Sequence, residues 1–403
     1  MIGTLALCLY LALLPFEQFS AMGVTVVKLA GGLALVGWLL SHLRSRDPIR
    51  WDPGLTLMVL FVIWGTASGL WSVNPAGSIA ALPTYAMLLV SYFLIINVVR
   101  SEKQLSTALI ALWLGSLALV ASGVFNLAVI GFHSQDRVSG LSGNANSYVA
   151  VLVACIPSGY WVFTRTRIPL RRVITTAALV VAGFTSLYSQ SRGGIVAIAV
   201  FLLSLMAFRQ TRRRGVLFTV LFVALALRLA PLAFWQRFDE TIQSRGNERT
   251  LVLWPAGLSA FEQNPWLGSG LGTNADAIYE VRGTKAGGGV VHSAPLAVAI
   301  ELGFPGLVLY LAFLAYITIR LLRALRARMR LGKSKEAAFA IVLVAGFVGY
   351  MTTWFKGGGA EYQKILWVLL GLMSAYSRIL EQLPRAVATK PRDPDRERAR
   401  SRL

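Results

Sequence analysis

The segment 187-LYSQSRGGIVAIAVFLLSL-205 sets Arg192 between two apolar stretches. An ionised guanidinium at the lip of an apolar helix is costly unless something anionic meets it. Arg137 and Asn146 in 137-RVSGLSGNANSY-148, and Arg245 and Arg249 further on, are polar groups that fall on the same side of the apolar runs. Several guanidinium groups together suit bidentate recognition of phosphate. His292 is one of three histidines, with His42 and His133, and stands where a long polar stretch enters an apolar run. At the start of a helix the positive dipole end disfavours imidazolium, leaving a neutral ring that can accept a proton. Each residue alone has a plainer reading: Arg192 snorkelling to headgroups, Arg249 on a solvated face, His292 capping its helix. Together they point to a phosphate-bearing ligand with a base beside it.

The elements that must hold these residues are set by composition. The chain has 403 residues, 56% hydrophobic and 14% charged, with mean hydropathy +0.62. A soluble domain carries about 25% charge. Apolar runs of about 20 residues recur, each long enough to cross ~30 Å of hydrocarbon. They are too continuous for barrel strands, so the spans are helices. The expected fold is an all-α polytopic membrane protein with twelve spans, near 2–20, 22–43, 54–71, 79–99, 105–131, 146–163, 171–188, 191–208, 215–234, 292–319, 337–355 and 364–382.

The net charge of +21 invites a nucleic-acid reading, and its placement opposes one. With the N-terminus in the cytoplasm, 28 of the 39 Lys and Arg fall on the cytoplasmic side and 9 on the other, with Lys28 and Arg228 inside spans. That is a topology signal, putting both termini in the cytoplasm, and it favours anionic headgroups as neighbours. Cys8 and Cys155 lie in apolar spans, where neither a disulfide nor a metal site is expected. The first span lacks a basic lead segment and reads as an anchor.

The chain divides into a membrane domain over 1–383 and a basic tail over 384–403, Pro- and Arg-rich and expected to be disordered. One outer loop, about 235–291, is far longer than ordinary connections. Within it Leu251, Trp254, Leu258 and Phe261 recur at helical spacing up to Pro265, predicting an amphipathic helix on the membrane face with Trp254 and Trp266 at the interface. The tract GSGLGT at 268–273 lacks the third glycine of a dinucleotide fingerprint, and 286-AGGGVV-291 reads as a hinge. Glu301, inside a span, pairs with a basic group or the backbone, or relays protons.

The segments 137-RVSGLSGNANSY-148, 189-SQSRGGIVA-197, 249-RTLVLWPAGLSAFEQNPWLGSGLGT-273 and 292-HSAPLAVAIELGFPG-306 resemble the O-antigen ligase/polymerase superfamily of bacterial envelope glycosyltransferases. The last is the most specific: His292 and Ser293, then Gly303 and Gly306, resemble the His-centred motif of the ligase branch. Many members have Asn where this chain has Ser293. The resemblance implies a fold of the transmembrane glycosyltransferase type, with an active site facing the periplasm of the bacterial inner membrane. It implies an undecaprenyl-diphosphate-linked glycan donor and neither cofactor nor metal. By motif match it implies that Arg192 and Arg249 bind the donor diphosphate and that His292 lies at the reacting centre. Arg137, Asn146 and Arg245 are further candidates for substrate contact.

The resulting expectation is a ligase moving O-antigen onto lipid A–core. The alternatives are a polymerase extending a lipid-linked O-antigen or exopolysaccharide, transfer onto protein hydroxyls, and, from another class, a transporter or flippase. Transport predicts ionisable groups converging at mid-membrane and paired repeats; the informative residues here collect at one face, and no internal repeat is evident.

Overall fold

The computed structural model describes residues 2–17, 20–21, 24–131, 136–243, 249–283, 289–353 and 363–383. Apart from a two-residue antiparallel pairing of Ser20–Ala21 with Val24–Thr25, the regular structure is helical. The chain order is α1 (Ile2–Leu13), α2 (Val26–Ser45), α3 (Pro53–Ala67), α4 (Pro75–Val98), α5 (Glu102–Ile130), α6 (Ala145–Arg165), α7 (Pro169–Tyr188), α8 (Arg192–Met206) and α9 (Arg212–Leu229). There follow α10 (Leu232–Gln243), α11 (Trp254–Gln263), α12 (Asn274–Arg282), α13 (Ala294–Arg330), α14 (Ser334–Thr352) and α15 (Lys364–Gln382). Each expected span overlaps a helix, but 2–20 extends past the end of α1 at Leu13 and 215–234 runs from α9 into α10. By length and composition, eight helices among the described residues can cross a membrane: α2 to α7, α13 and α14. The apolar stretches Ile2–Phe16 and Arg192–Met206 are shorter. α9 opens on Arg212, Arg213 and Arg214, and α15 carries Lys364, Arg378 and Glu381, charges that keep both helices outside the eight.

α15 is nevertheless the middle of the molecule, buried along nearly its whole length. Its Trp367 stacks on Phe313, with ring centroids 5.2 Å apart, and stands in an aromatic group with Phe61 and Tyr310. At one end Lys364 is 2% exposed and forms an ion pair with Glu17. At the other, Arg378 donates to the carbonyls of Ile96 (2.9 Å) and Val99 (2.8 Å) on α4 and the turn after it. Buried charges are tolerated where partners of this kind are supplied. Asp52 ties the same end: it caps α3 through Leu55 N (2.8 Å) and accepts from Tyr92, Ser374 (2.9 Å) and Arg320.

α13 is broken at Gly303, a feature that the expected continuous span over 292–319 did not contain. Its φ of 63° and ψ of −167° lie in a region reserved for glycine. The break frees carbonyls inside the bundle, and in an apolar interior each must be satisfied by protein. The tract at 264–274 and Trp64 of α3 supply the partners. Ser269 N donates to Ile300 O (2.8 Å), Gly270 N to Glu301 O (2.8 Å), and the Trp64 indole to Leu302 O (2.8 Å). A Cβ on Gly303 would stand 2.5 Å from the Trp266 carbonyl oxygen. We therefore expect Gly303→Ala to cost roughly 2–4 kcal/mol, measured as loss of resistance to SDS unfolding of the purified protein; a cost under about 1 kcal/mol would mean that the crossing gives way easily.

The long loop is a small packed unit rather than one surface helix. α11 begins at Trp254 after a π-helical turn over Arg249–Leu253, later than the expected start at 248. Leu253, Ala260, Ala277, Ile278 and Val291 form its core against Ala297 and Ile300 of α13, with Trp254 and Phe261 packed on it. Trp254 is half-buried and its indole donates to Val291 O at 3.0 Å. Trp266 is 66% exposed. The second loop helix, α12, was not anticipated. Residues 286–288 of the hinge tract lie outside the described residues, and Val291 at its end is buried; the tail over 384–403 lies wholly outside them.

Candidate functional site

Arg192 opens α8, and the turn before it is closely determined. Ser189, Gln190 and Ser191 are buried. Gln190 has φ 50°, which reverses the chain sharply between α7 and α8. Ser191 caps α8, its hydroxyl accepting from Gly194 N at 3.1 Å and donating to Asn146 Oδ1 at 2.8 Å. Asn146 Oδ1 also accepts from Arg137 Nη2 at 3.0 Å, while Arg137 Nε donates to Ser189 O at 2.9 Å. Gly194 lets α8 approach α6: a Cβ there would lie 2.6 Å from Val149 Cβ. The structure thus brings Arg137, Asn146 and the Ser189–Ser191 turn into one hydrogen-bonded node with Arg192 at its edge. Arg137 braces the turn with two of its donors. The positive end of α8 and the half-buried Arg192 guanidinium face the same end of the bundle, a combination suited to an anion.

His292 immediately precedes the Ser293 N-cap position of α13. Its φ of 52° is costly for a residue with a Cβ. The surroundings hold it there. Val291 on one side is locked into the loop core and accepts from the Trp254 indole; on the other, Ser293 O accepts from Ala297 N at 2.8 Å. His292 Nδ1 is buried. A strained backbone clamped between two packed units is the condition under which strain and function go together.

Arg249 is the first residue of the π-helical turn leading into α11. Arg245 and His133 lie outside the described residues. His42 sits at the far end of α2, its ring stacked on Trp38 with centroids 5.2 Å apart. Arg228 is in the last turn of α9 and Lys28 in the first turn of α2. Glu301 takes the backbone option: Oε2 accepts from Gly272 N at 2.8 Å, and Oε1 from the Asn274 backbone and side-chain amides. The end of GSGLGT, through Gly272 N, and Asn274 just after it thus hold a carboxylate of their own chain.

Sequence reasoning missed a polar cavity at the same end. It is lined by Glu17, Lys28, Asn144, Ser147, Gln363 and Lys364, among others. Gln363 joins it to the first turn of α6, donating to Ser147 Oγ at 3.1 Å and accepting from Tyr350 at 2.8 Å. The residues come from four separated stretches, and the charge of Lys28 inside an apolar span was the signal the sequence offered. Among the described residues, no three His, Cys, Asp or Glu gather as a metal set would.

These features describe a polytopic helical membrane protein with a basic, hydrogen-bonded node at one end of its bundle and a packed loop unit against α13. Residues 177–311, about a third of the chain, match the O-antigen ligase family model, which supports the resemblance to the O-antigen ligase/polymerase superfamily. The matched segment contains Arg192, Arg249, His292 and the Gly303 break, and leaves Arg137 and Asn146 outside it. No curated protein matches the chain.

Proposed function

We propose that this protein is an O-antigen ligase of the bacterial inner membrane, transferring glycan from undecaprenyl diphosphate to lipid A–core at the periplasmic face. The observation that carries this reading is the family match over 177–311, which encloses the α8 terminus bearing Arg192 and the clamped His292 together. The donor lipid would lie in hydrocarbon with its diphosphate at headgroup level, where Arg192 and Arg249 meet it. Arg137 and Asn146 would act as positioning residues by holding the turn that presents Arg192.

In the reaction the acceptor hydroxyl oxygen attacks the anomeric carbon, and the bond from that carbon to the diphosphate oxygen breaks. The lipid diphosphate leaves with the bonding pair, its growing charge stabilised by guanidinium groups, the electrostatic contribution usually largest in such sites. His292 takes the hydroxyl proton as general base. Attack opposite the leaving group inverts the anomeric configuration. No metal takes part in this scheme, since the arginines supply the charge that a cation would.

The test is a lipopolysaccharide gel from a deletion strain complemented with wild type or His292→Ala. A core-only band in the variant, with long polymer accumulating on the lipid carrier, is expected. A core bearing a single repeat and no ladder would identify a polymerase instead. An unchanged ladder would remove lipopolysaccharide from consideration.

A further inference from the structure

α6, α7, α8 and α9 run alternately up and down, so the end of α6, the start of α7, the end of α8 and the start of α9 share one end of the bundle. Between them these four helices leave an apolar groove. Its walls include Val153 and Ile156 of α6, Leu179 of α7, Phe201 of α8, and Phe218 and Phe222 of α9. Only Gly215 of α9 is buried; the rest of that helix stands off the bundle and closes one side of the groove. The described protein residues leave this space unfilled.

The ends of the groove differ. At one end it reaches Arg214, whose guanidinium donates to the Tyr160 hydroxyl and lies 5.3 Å from that ring's centroid. Seven further arginines stand between 165 and 213 at the same end, in the turns flanking the groove, and residues 164–215 contain no Asp or Glu. Arg165 is taken up by Glu102; Arg212, Arg213 and Arg214 are exposed in the first turn of α9. Along α9 the lining runs from Arg214 to Leu225, roughly 16 Å at the helical rise. That is about half the ~30 Å hydrocarbon thickness, the depth of one leaflet.

An apolar trough one leaflet deep beneath a predominantly basic rim suits an anionic phospholipid. We propose that this groove is a binding site for an anionic phospholipid, its acyl chains between α7 and α9 and its phosphate at Arg214. The site lies at the far end of α8 from Arg192 and does not depend on the reaction proposed above. A polyprenyl chain, whose diphosphate belongs at Arg192, would have to cross more hydrocarbon than the groove covers. The lipid would act as a filler for a helix that the protein packs poorly, so its removal should loosen α9.

The experiment is native mass spectrometry of the purified, delipidated full chain titrated with dioleoylphosphatidylglycerol, dioleoylphosphatidylcholine or undecaprenyl phosphate. The wild type should retain one phosphatidylglycerol in clear preference to phosphatidylcholine. Arg214→Gln, at an exposed position, should lower phosphatidylglycerol retention about fivefold and leave phosphatidylcholine unchanged. Gly183→Leu fills the groove, since a Cβ there meets only Phe222 at an ordinary 3.5 Å; it should weaken retention of both phospholipids. Equal retention of the two phospholipids by the wild type would overturn the proposal, as would indifference to Gly183→Leu. Displacement of phosphatidylglycerol by undecaprenyl phosphate at equal concentration would assign the groove to the prenyl chain and overturn it too.

Discussion

His292→Gly is expected to lower the transfer rate by about 10²–10⁴-fold, the range of a lost general base, and at the same time to leave the protein at least as stable as the wild type. The two halves of that result have separate causes. At φ 52° the histidine backbone sits where a Cβ is costly, and glycine occupies the same conformation freely. Removing the side chain therefore relieves strain of order 1 kcal/mol while deleting the only imidazole on this loop. His292→Ala would share the loss of rate without the gain. Added imidazole separates a base from an orienting group. If His292 accepts the acceptor's proton, free imidazole in the space left by His292→Gly should restore part of the rate, more so at a pH where imidazole is neutral. No rescue, with a raised KM for acceptor and a modest fall in kcat, would make His292 a positioning residue. A variant that unfolds would contradict the strain argument itself.

The helices were legible because lipid leaves little choice: about 20 apolar residues with basic turns between them fix where a helix lies. The 294–330 helix shows the limit of that reasoning. The string ELGFPG sits inside a continuous apolar run, and hydropathy cannot distinguish a straight helix from one opened at Gly303. The opening depends on partners about 30 residues away, at Ser269 and Gly270. Similarly, spacing placed Leu251, Trp254, Leu258 and Phe261 on one stripe, but not which side of it would be buried. The stripe splits: Trp254 and Phe261 turn to the loop core, while Leu251 and Leu258 are exposed. α12 escaped notice because NADAIYEVR has too few apolar residues to show a period; its Ala277 and Ile278 gain their partners only from α11 and α13.

The site divides in the same way. Arg192 and His292 were visible because each is chemically out of place, one a charge at an apolar lip and the other a rare ring at a helix start. The residues that hold them were not. Arg137 and Asn146 read as further ligands, yet nothing in the sequence tells that Arg137 spans 52 positions to the Ser189 carbonyl. Glu301 looked reactive for being a buried carboxylate, and Gly272 N and the two amides of Asn274 donate to it. A polar residue inside a membrane bundle can thus be catalytic or can be holding the fold, and the number of its protein partners separates the two.

Arg192→Lys is expected to reduce kcat/KM for transfer about 10²-fold, and Arg192→Ala about 10³-fold, in the range for removing a donor from a developing negative charge. Lysine keeps the charge and much of the length, so the argument rests on shape. A guanidinium offers two parallel N–H donors to a phosphate, whereas an ammonium offers a point charge. The fork matters only if it is held, and the turn supplies the holding. Ser191 caps α8 and bonds Asn146, and Asn146 is bridged to the preceding turn by Arg137. Neither variant disturbs that chain of contacts, so membrane levels and melting should stay at wild-type values. Asn146→Ala breaks the chain while sparing the guanidinium, and should therefore cost activity in proportion to the freedom it gives the turn, with Arg192→Lys adding less in that background than alone. Such non-additivity is the signature of two residues acting through one contact. Full activity of Arg192→Lys would instead mean that this arginine reaches for headgroups at the membrane surface, and the diphosphate would have to be sought at Arg249 and the lysine-lined cavity beside Gln363.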